Sequence, residues 1–330
     1  MTTQLLSEKR IMALADDAAT APSMHNAQPW HFRYHRHDRI FDLRADLDRA
    51  LPYADPDTRA LHIGCGAALL NLRVAVSHSG WYPATRLLPD PTDPALLATV
   101  QLTGLGSSES DLDELYPAVH RRHTSRYPFD ETDIPEAVRS ALLDAARREG
   151  CVLDFPTGWH LQWVLKLAAE AEARNLTDRV RVEELLRWTR TAATATDAVG
   201  SGVPEHAFGP RKRGGRAPMR DFAGARPVPG RGAAAFESSP HLAVLSTAGD
   251  RPADWLRAGQ AMERVLLRAT LEGMVSSPAT QAVEWRDLRW PLRDPVAGTG
   301  YVQMVLRMGY GPPGPATPRR PVADVLDIEP

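Results

Sequence analysis

Two cysteines, Cys65 and Cys151, are too few for a disulfide framework, and both stand in helix-like apolar contexts where a free thiol acts as a small buried hydrophobe. Lysine is nearly missing. Of 39 basic residues only Lys9, Lys166 and Lys212 are lysine. A GC-rich genome gives this bias, and so does a need for the planar donor fork that arginine offers to phosphate. Net charge is also small, at −2, which removes the whole-chain electrostatic case for a nucleic-acid or membrane partner. No apolar run approaches 18 residues and the N-terminus lacks an apolar signal core, so the expectation is a soluble cytoplasmic chain. There is no CxxC, HExxH or P-loop, and no GxGxxG follows a strand. His25, His31, His35 and His37 crowd together, and the last three would share one face of a strand. A solvated strand edge accounts for them, and no metal is expected.

What is present is ample apolar material: 330 residues at 43% hydrophobic suffice for two ordinary domains or one large one. Apolar periodicity predicts helices over 5–20, 61–80, 134–150, 159–176, 180–192 and 254–273, with strands at HFRYHR, FDLRAD, 96–103, 241–249 and 300–310. Residues 197–235 are rich in Gly, Pro and Arg and show no period. So long a stretch is either disordered or a functional lid. Within it RKRGGR, Arg211–Arg216, lacks the folded context and interleaved aromatics of a nucleic-acid site.

The halves resemble each other. HIGCGAALLNLRVAVSHSGWYPAT at 62–85 and RAGQAMERVLLRATLEGMVSSPAT at 257–280 share an apolar helix, a glycine stop and Pro-Ala-Thr, and each leads to a strand. Upstream, PSMHNAQPW at 22–30 has a weaker counterpart in PTGWHLQWV at 156–164. These parallels suggest duplication and fusion, a single chain imitating a two-fold dimer with its site at the internal interface.

Three segments carry chemistry. HRRHTSRYPF sets Arg121, Arg122 and Arg126 around Thr124 and Ser125, a spacing that lets guanidiniums converge on phosphate or merely forms a solvated basic loop. PATPRRP holds Arg319 and Arg320 between stiff prolines. PSMHNAQPW offers Ser23, Asn26 and Gln28, hydrogen-bonding groups suited to the rim of a planar heterocycle, beside Trp30, which reads as core. His25 is a weak catalytic candidate.

Together these resemble the nitroreductase superfamily of flavoproteins. PSMHNAQPWHF is similar to that family's PSxxNxQPWxF segment at Pro22, Ser23, Asn26, Gln28, Pro29, Trp30 and Phe32. RRHTSRYPF resembles its RxSxRxF phosphate segment through Arg122, Thr124 and Arg126, with threonine for serine and the aromatic displaced to Phe129. PRRP resembles the basic pair completing the phosphate site, and GMVSSPAT the stretch whose backbone meets the flavin ring. The nearest likeness is to the fused, Acg-like branch of actinobacteria. The resemblance implies an α+β nitroreductase-like fold built of two tandem degenerate repeats forming an intrachain pseudo-dimer. Its halves are 1–110 and 111–330, the second carrying an inserted lid at about 197–235. It further implies FMN held by Pro22, Ser23, Met24, Asn26, Gln28, Arg122, Thr124, Arg126, Ser277, Pro278, Ala279, Arg319 and Arg320, at one complete site per chain. Hydride would pass from NAD(P)H to a small electron-poor substrate, by a monomer or weak homodimer with no nucleic-acid or membrane partner. Alternatively the lid, with Gly202–Pro210 over the ring, makes the chain an FMN store with little turnover.

Overall fold

A computed structural model describes residues 6–104, 110–190, 200–224, 226–294, 298 and 300–330. Alternating burial builds the first sheet. In β1 (Trp30–His35) Trp30, Phe32 and Tyr34 point inward, and β2 (Ile40–Ala45) buries Phe41 and Leu43 against them. With β3 (Tyr82–Leu87) and β4 (Leu96–Thr103) they pair antiparallel in the order β1-β2-β4-β3. A second sheet comprises β5 (Val152–Asp154), β6 (His241–Thr247), β7 (Val275–Pro278) and β8 (Tyr301–Gly309) in the order β5-β6-β8-β7, again antiparallel. The two sheets thus repeat one topology. The chain's last strand, β9 (Leu326–Glu329), then crosses to the first sheet and pairs parallel to β1, Phe32 opposite Leu326 and His35 opposite Glu329. Periodicity alone does not foresee β3, β5, β7 or β9, which are short or lie on sheet edges.

Helix α1 (Glu8–Ala19) precedes the first sheet, and α3 (Glu136–Arg148) precedes the second. Between them in sequence is α2 (Arg59–His78), and α4 (Gly158–Thr177), α5 (Arg179–Arg187) and α6 (Pro252–Leu271) follow. The helix expected to reach residue 192 stops at Arg187, with Thr189–Arg190 pairing parallel to Val203–Pro204 instead. One apolar core runs between the sheets and takes side chains from both. α2 is long and apolar enough to cross a membrane by length and composition, but its surface is consumed by packing inside the fold.

α2 and α6 are each 20 residues long and cross at Gly66 and Gly259. A Cβ on Gly66 would lie 3.0 Å from the Gly259 Cα and would overlap the Leu256 carbonyl. A Cβ on Gly259 would lie 2.8 Å from the Gly66 Cα and would overlap the Ile63 carbonyl. The reciprocity equates Gly66 with Gly259 and Ile63 with Leu256, two residues away from the alignment that the sequence repeat suggests. Topology also displaces the supposed copy of PSMHNAQPW. That segment joins α1 to β1, whereas PTGWHLQWV follows β5 and becomes the start of α4. The position equivalent to PSMHNAQPW is the short turn between α3 and β5, so the second half has no such loop.

Branched side chains cannot be accommodated at this crossing. Gly66→Val and Gly259→Val should each lose about 3 kcal/mol in denaturant unfolding, whereas Gly232→Ala, whose added Cβ meets nothing, should match the parent. A parental midpoint for both valine variants would mean that the helices do not cross there.

Candidate functional site

The loop after α1 is strained. His25, Asn26 and Gln28 have φ of 53°, 56° and 54°, left-handed values that cost a non-glycine residue on the order of 1 kcal/mol each. Local and distant hydrogen bonds hold it. The Gln28 backbone N–H donates to Ser23 Oγ at 2.8 Å. The Gln28 side chain donates to the Gly200 carbonyl and accepts from the Arg320 backbone N–H at 2.9 Å. Asn26 Nδ2 donates to the carbonyls of Gly202 and Pro318, both at 3.0 Å, and its Oδ1 accepts from Arg319 at 3.1 Å. Asn26 and Gln28 therefore bind the loop to segments 200–202 and 318–320, which leaves Pro22, Ser23, Met24 and His25 lining a cleft. Trp30 is fully buried beneath.

The cleft and the open solvent at its mouth together span about 1200 Å³. Facing the loop are Thr124 and Arg126, with Ser277 and Pro278 from β7; Thr124 bridges to Ser276, and the Ser125 N–H donates to the Ser276 carbonyl at 2.9 Å. Ile63, Met262 and Met304 supply apolar surface. The far wall is the turn ahead of α2. Its Asp55 accepts from the N–H groups of Ala60 and Leu61 at 2.9 and 2.8 Å, yet burial raises its pKa. Glu184 of α5 steadies this turn by accepting from the N–H groups of Tyr53 and Ala54 at 3.1 and 2.8 Å. Arg59 lies below, donating to the Gln303 carbonyl at 2.6 Å, and burial brings its pKa down to about 10.

Segment 218–222 closes the remaining side through Pro218, Met219, Arg220 and Phe222. Arg220 donates to Glu284 at 2.6 Å and stands 3.4 Å from His25 Nε2; Phe222 meets the His25 ring edge-on at 5.9 Å. Burial pulls the Arg220 pKa down, but Glu284 and Glu172 outweigh it and leave the pKa raised. The segment expected over the cleft, Gly202–Pro210, packs behind instead. Gly202 is taken up by Asn26, and Phe208 stacks on Phe222 at 6.0 Å. Residues 197–199 and 225 of the expected lid lie outside the described residues.

The anticipated phosphate arginines divide. Arg126 faces the cleft, its Nη1 donating to the Ala207 carbonyl at 2.9 Å and its guanidinium 4.7 Å over the Phe222 ring. It forms no ion pair among the described residues. Burial and then Arg220 bring its pKa down to about 10. Arg122 and Arg319 turn away toward the C-terminal end of α1, where unpaired carbonyls attract cations. Both donate to the Thr20 carbonyl, at 3.0 and 2.8 Å, and Arg122 pairs with the buried Glu263 at 3.1 Å. Desolvation brings the Arg319 pKa down to about 9. Arg320 pairs with Asp46 at 3.1 Å, and Ala279 is buried in apolar core with its N–H on the Val305 carbonyl. Neither lines the cleft. Sequence reasoning missed Arg59, Arg220 and Phe222. The basic and aromatic residues of 197–235 were visible, but without a period nothing indicated which of them turn inward.

The fold and site define an α+β protein with an apolar, cation-bearing cleft where two like sheets meet. The chain belongs to the nitroreductase family, whose family model matches residues 119–284, from just before the Arg122–Arg126 segment through the cleft wall at Glu284. Among its relatives, "Putative NAD(P)H nitroreductase Rv3131" of Mycobacterium tuberculosis is 32% identical over 333 residues, covering 99% of this chain and 94% of that protein. "Putative NAD(P)H nitroreductase acg" of the same species is 29% identical over 315 residues, covering 94% and 93%. A solved nitroreductase with bound FMN from Bacteroides fragilis is 15% identical with a TM-score of 0.34, covering 63% of this chain and 94% of that one.

Burial, then Arg220 and Arg126, holds the His25 pKa well below 6.5. The unfolded chain therefore binds the extra proton first as pH falls, and stability drops below about pH 6.5 by up to about 1.4 kcal/mol per unit from this group. His25→Asn keeps a residue tolerant of positive φ and should lose that part of the slope in denaturation between pH 6.5 and 5.5. Equal slopes would show a native-state imidazolium.

Proposed function

We propose that this chain binds FMN in the cleft and acts as an NAD(P)H-dependent oxidoreductase on small electron-poor substrates. The observation that carries the reading is the meeting of Ser23 and Met24 with Thr124, Arg126, Ser277 and Pro278 around an apolar wall, with Arg126 unneutralised by any carboxylate among the described residues. A phosphomonoester on an apolar heterocycle fits that donor set, because a desolvated guanidinium and a hydroxyl favour the anion while methionine and isoleucine accommodate the ring. When bound, the flavin supplies hydride acceptance and donation. The protein's part is to hold it. Arg126 and Thr124 would retain the phosphate, Ser23 and Met24 one edge of the ring, and the Ser277–Pro278 backbone the other. His25, kept neutral, would orient or exclude groups at the mouth rather than carry charge. The family supports this reading, and the names of the M. tuberculosis relatives suggest NAD(P)H as donor.

In this reading residues 1–110 and 111–330 are the halves of a fused dimer. The repeated sheet order and the reciprocal Gly66–Gly259 crossing support it. One site follows, since only the first half has the PSMHNAQPW loop, and a monomer is self-sufficient. The free, buried thiols of Cys65 and Cys151, the latter pushed by burial up to about 12, suit the reducing cytoplasm.

One observation favours an alternative, FMN storage. Arg220 and Phe222 close one side of the cleft and are anchored at both ends, to Glu284 and against His25. A segment so placed would keep nicotinamide off the ring unless it opens.

Purified protein should be yellow and titrate to one FMN per chain, and Arg126→Ala should weaken retention about tenfold or more. Full retention in that variant, or two FMN per chain, removes the assignment. Mixing with NADPH then separates the readings. Rapid bleaching supports the reductase, whereas bleaching only after Arg220→Ala/Phe222→Ala supports storage under a closed segment.

A further inference from the structure

The chain flanking the segment that closes the cleft carries cations that flavin binding does not use. Arg211–Lys212 pairs parallel with Ala233–Ala234, so successive side chains alternate in direction. Lys212 turns to donate to the Ala217 carbonyl at 2.7 Å, while Arg211 and Arg213 line a groove with Arg231 against an apolar edge of Pro227 and Val228. Arg231 is paired with Asp221 at 2.6 Å, and Arg211 gives one N–H to the Arg226 carbonyl at 3.3 Å. Neither Arg211 nor Arg213 forms an ion pair among the described residues. On a chain of net charge −2 this leaves two neighbouring guanidinium forks unneutralised beside an apolar wall. Such a pair matches a phosphate dianion, which planar forks bind through paired N–H donors, and the wall suits the sugar or base that carries it.

The groove and the cleft lie back to back. The Arg231 guanidinium sits 5.9 Å over the Phe208 ring, Phe208 stacks on Phe222 at 6.0 Å, and Phe222 lines the cleft. One aromatic layer thus separates the two, and a ligand with one end in the cleft and a phosphorylated end at the groove would pass round the edge of that layer. We propose, resting on the flavin reading above, that the groove binds the 2′-phosphate end of the electron donor, making NADPH rather than NADH the reductant this chain selects. NADPH differs from NADH by one phosphate, and the groove presents the donors for one such dianion.

Calorimetric titration of the full chain as purified with 2′,5′-ADP and with 5′-AMP tests the groove without turnover. The doubly phosphorylated nucleotide should bind at least tenfold tighter. Arg211→Ala/Arg213→Ala should erase the difference, while Arg216→Ala, exposed but outside the groove, should keep it. In stopped flow the double variant should lose about tenfold in preference for NADPH over NADH. Equal affinity for the two nucleotides overturns the assignment, as does an equal loss with Arg216→Ala, or binding of single-stranded DNA that 2′,5′-ADP cannot displace. A colourless protein would defeat the flavin reading, and the titration would still decide the groove.

Discussion

The close crossing of α2 and α6 is the constraint on which the rest depends. Two helices approach until their backbones touch only where neither has a Cβ, and Gly66 and Gly259 supply that point on both sides. The contact sets the two sheets at a fixed distance and makes one core of them. It also sets the cleft. Ile63 and Gly64 of α2 and Met262 of α6 lie within a turn of the crossing, and the cleft opens directly over them. The parallel pairing of β9 with β1 completes the arrangement, carrying the second half's end to the first half's sheet and bringing Arg319 and Arg320 to the PSMHNAQPW loop.

That loop shows how a fold sustains local strain. Three left-handed residues in four would unwind in isolation, and Asn26 and Gln28 hold them by bonding to segments far away in sequence. The side chains that look most suited to a heterocycle are those that build the loop. What they build points Ser23, Met24 and His25 into the cleft. Polar residues near a site are thus divided between making its walls and facing its ligand, and residue type does not separate the two tasks.

The long helices were legible because apolar residues at helical spacing are a local signal, and β1, β2, β4, β6 and β8 because each buries alternate or successive residues. Strands β3, β5, β7 and β9 were not, since a short strand takes its conformation from the neighbour it pairs with. The repeat was legible, but its register was not. Pro-Ala-Thr drew the alignment to 62–85 with 257–280, whereas the helix crossing equates Gly66 with Gly259. The helix expected through residue 192 ended at Arg187 because Thr189 and Arg190 pair with Val203 and Pro204, a partner no local window contains.

By itself the sequence determined that two apolar helices, a polar loop and an arginine–hydroxyl segment exist and where each lies along the chain. These follow from residue type and spacing over a few turns. Only the tertiary structure decided which arginines meet the cleft. Arg122 and Arg319 are drawn to the carbonyls at the end of α1 and to Glu263, Arg320 to Asp46, and Arg126 is left facing inward beside Arg220 from the aperiodic segment. A guanidinium's direction depends on which carboxylates and carbonyls the fold brings within its reach, and the deciding ones here, on Thr20, Asp46, Ala207 and Glu263, stand 81 or more positions away from the arginines they hold.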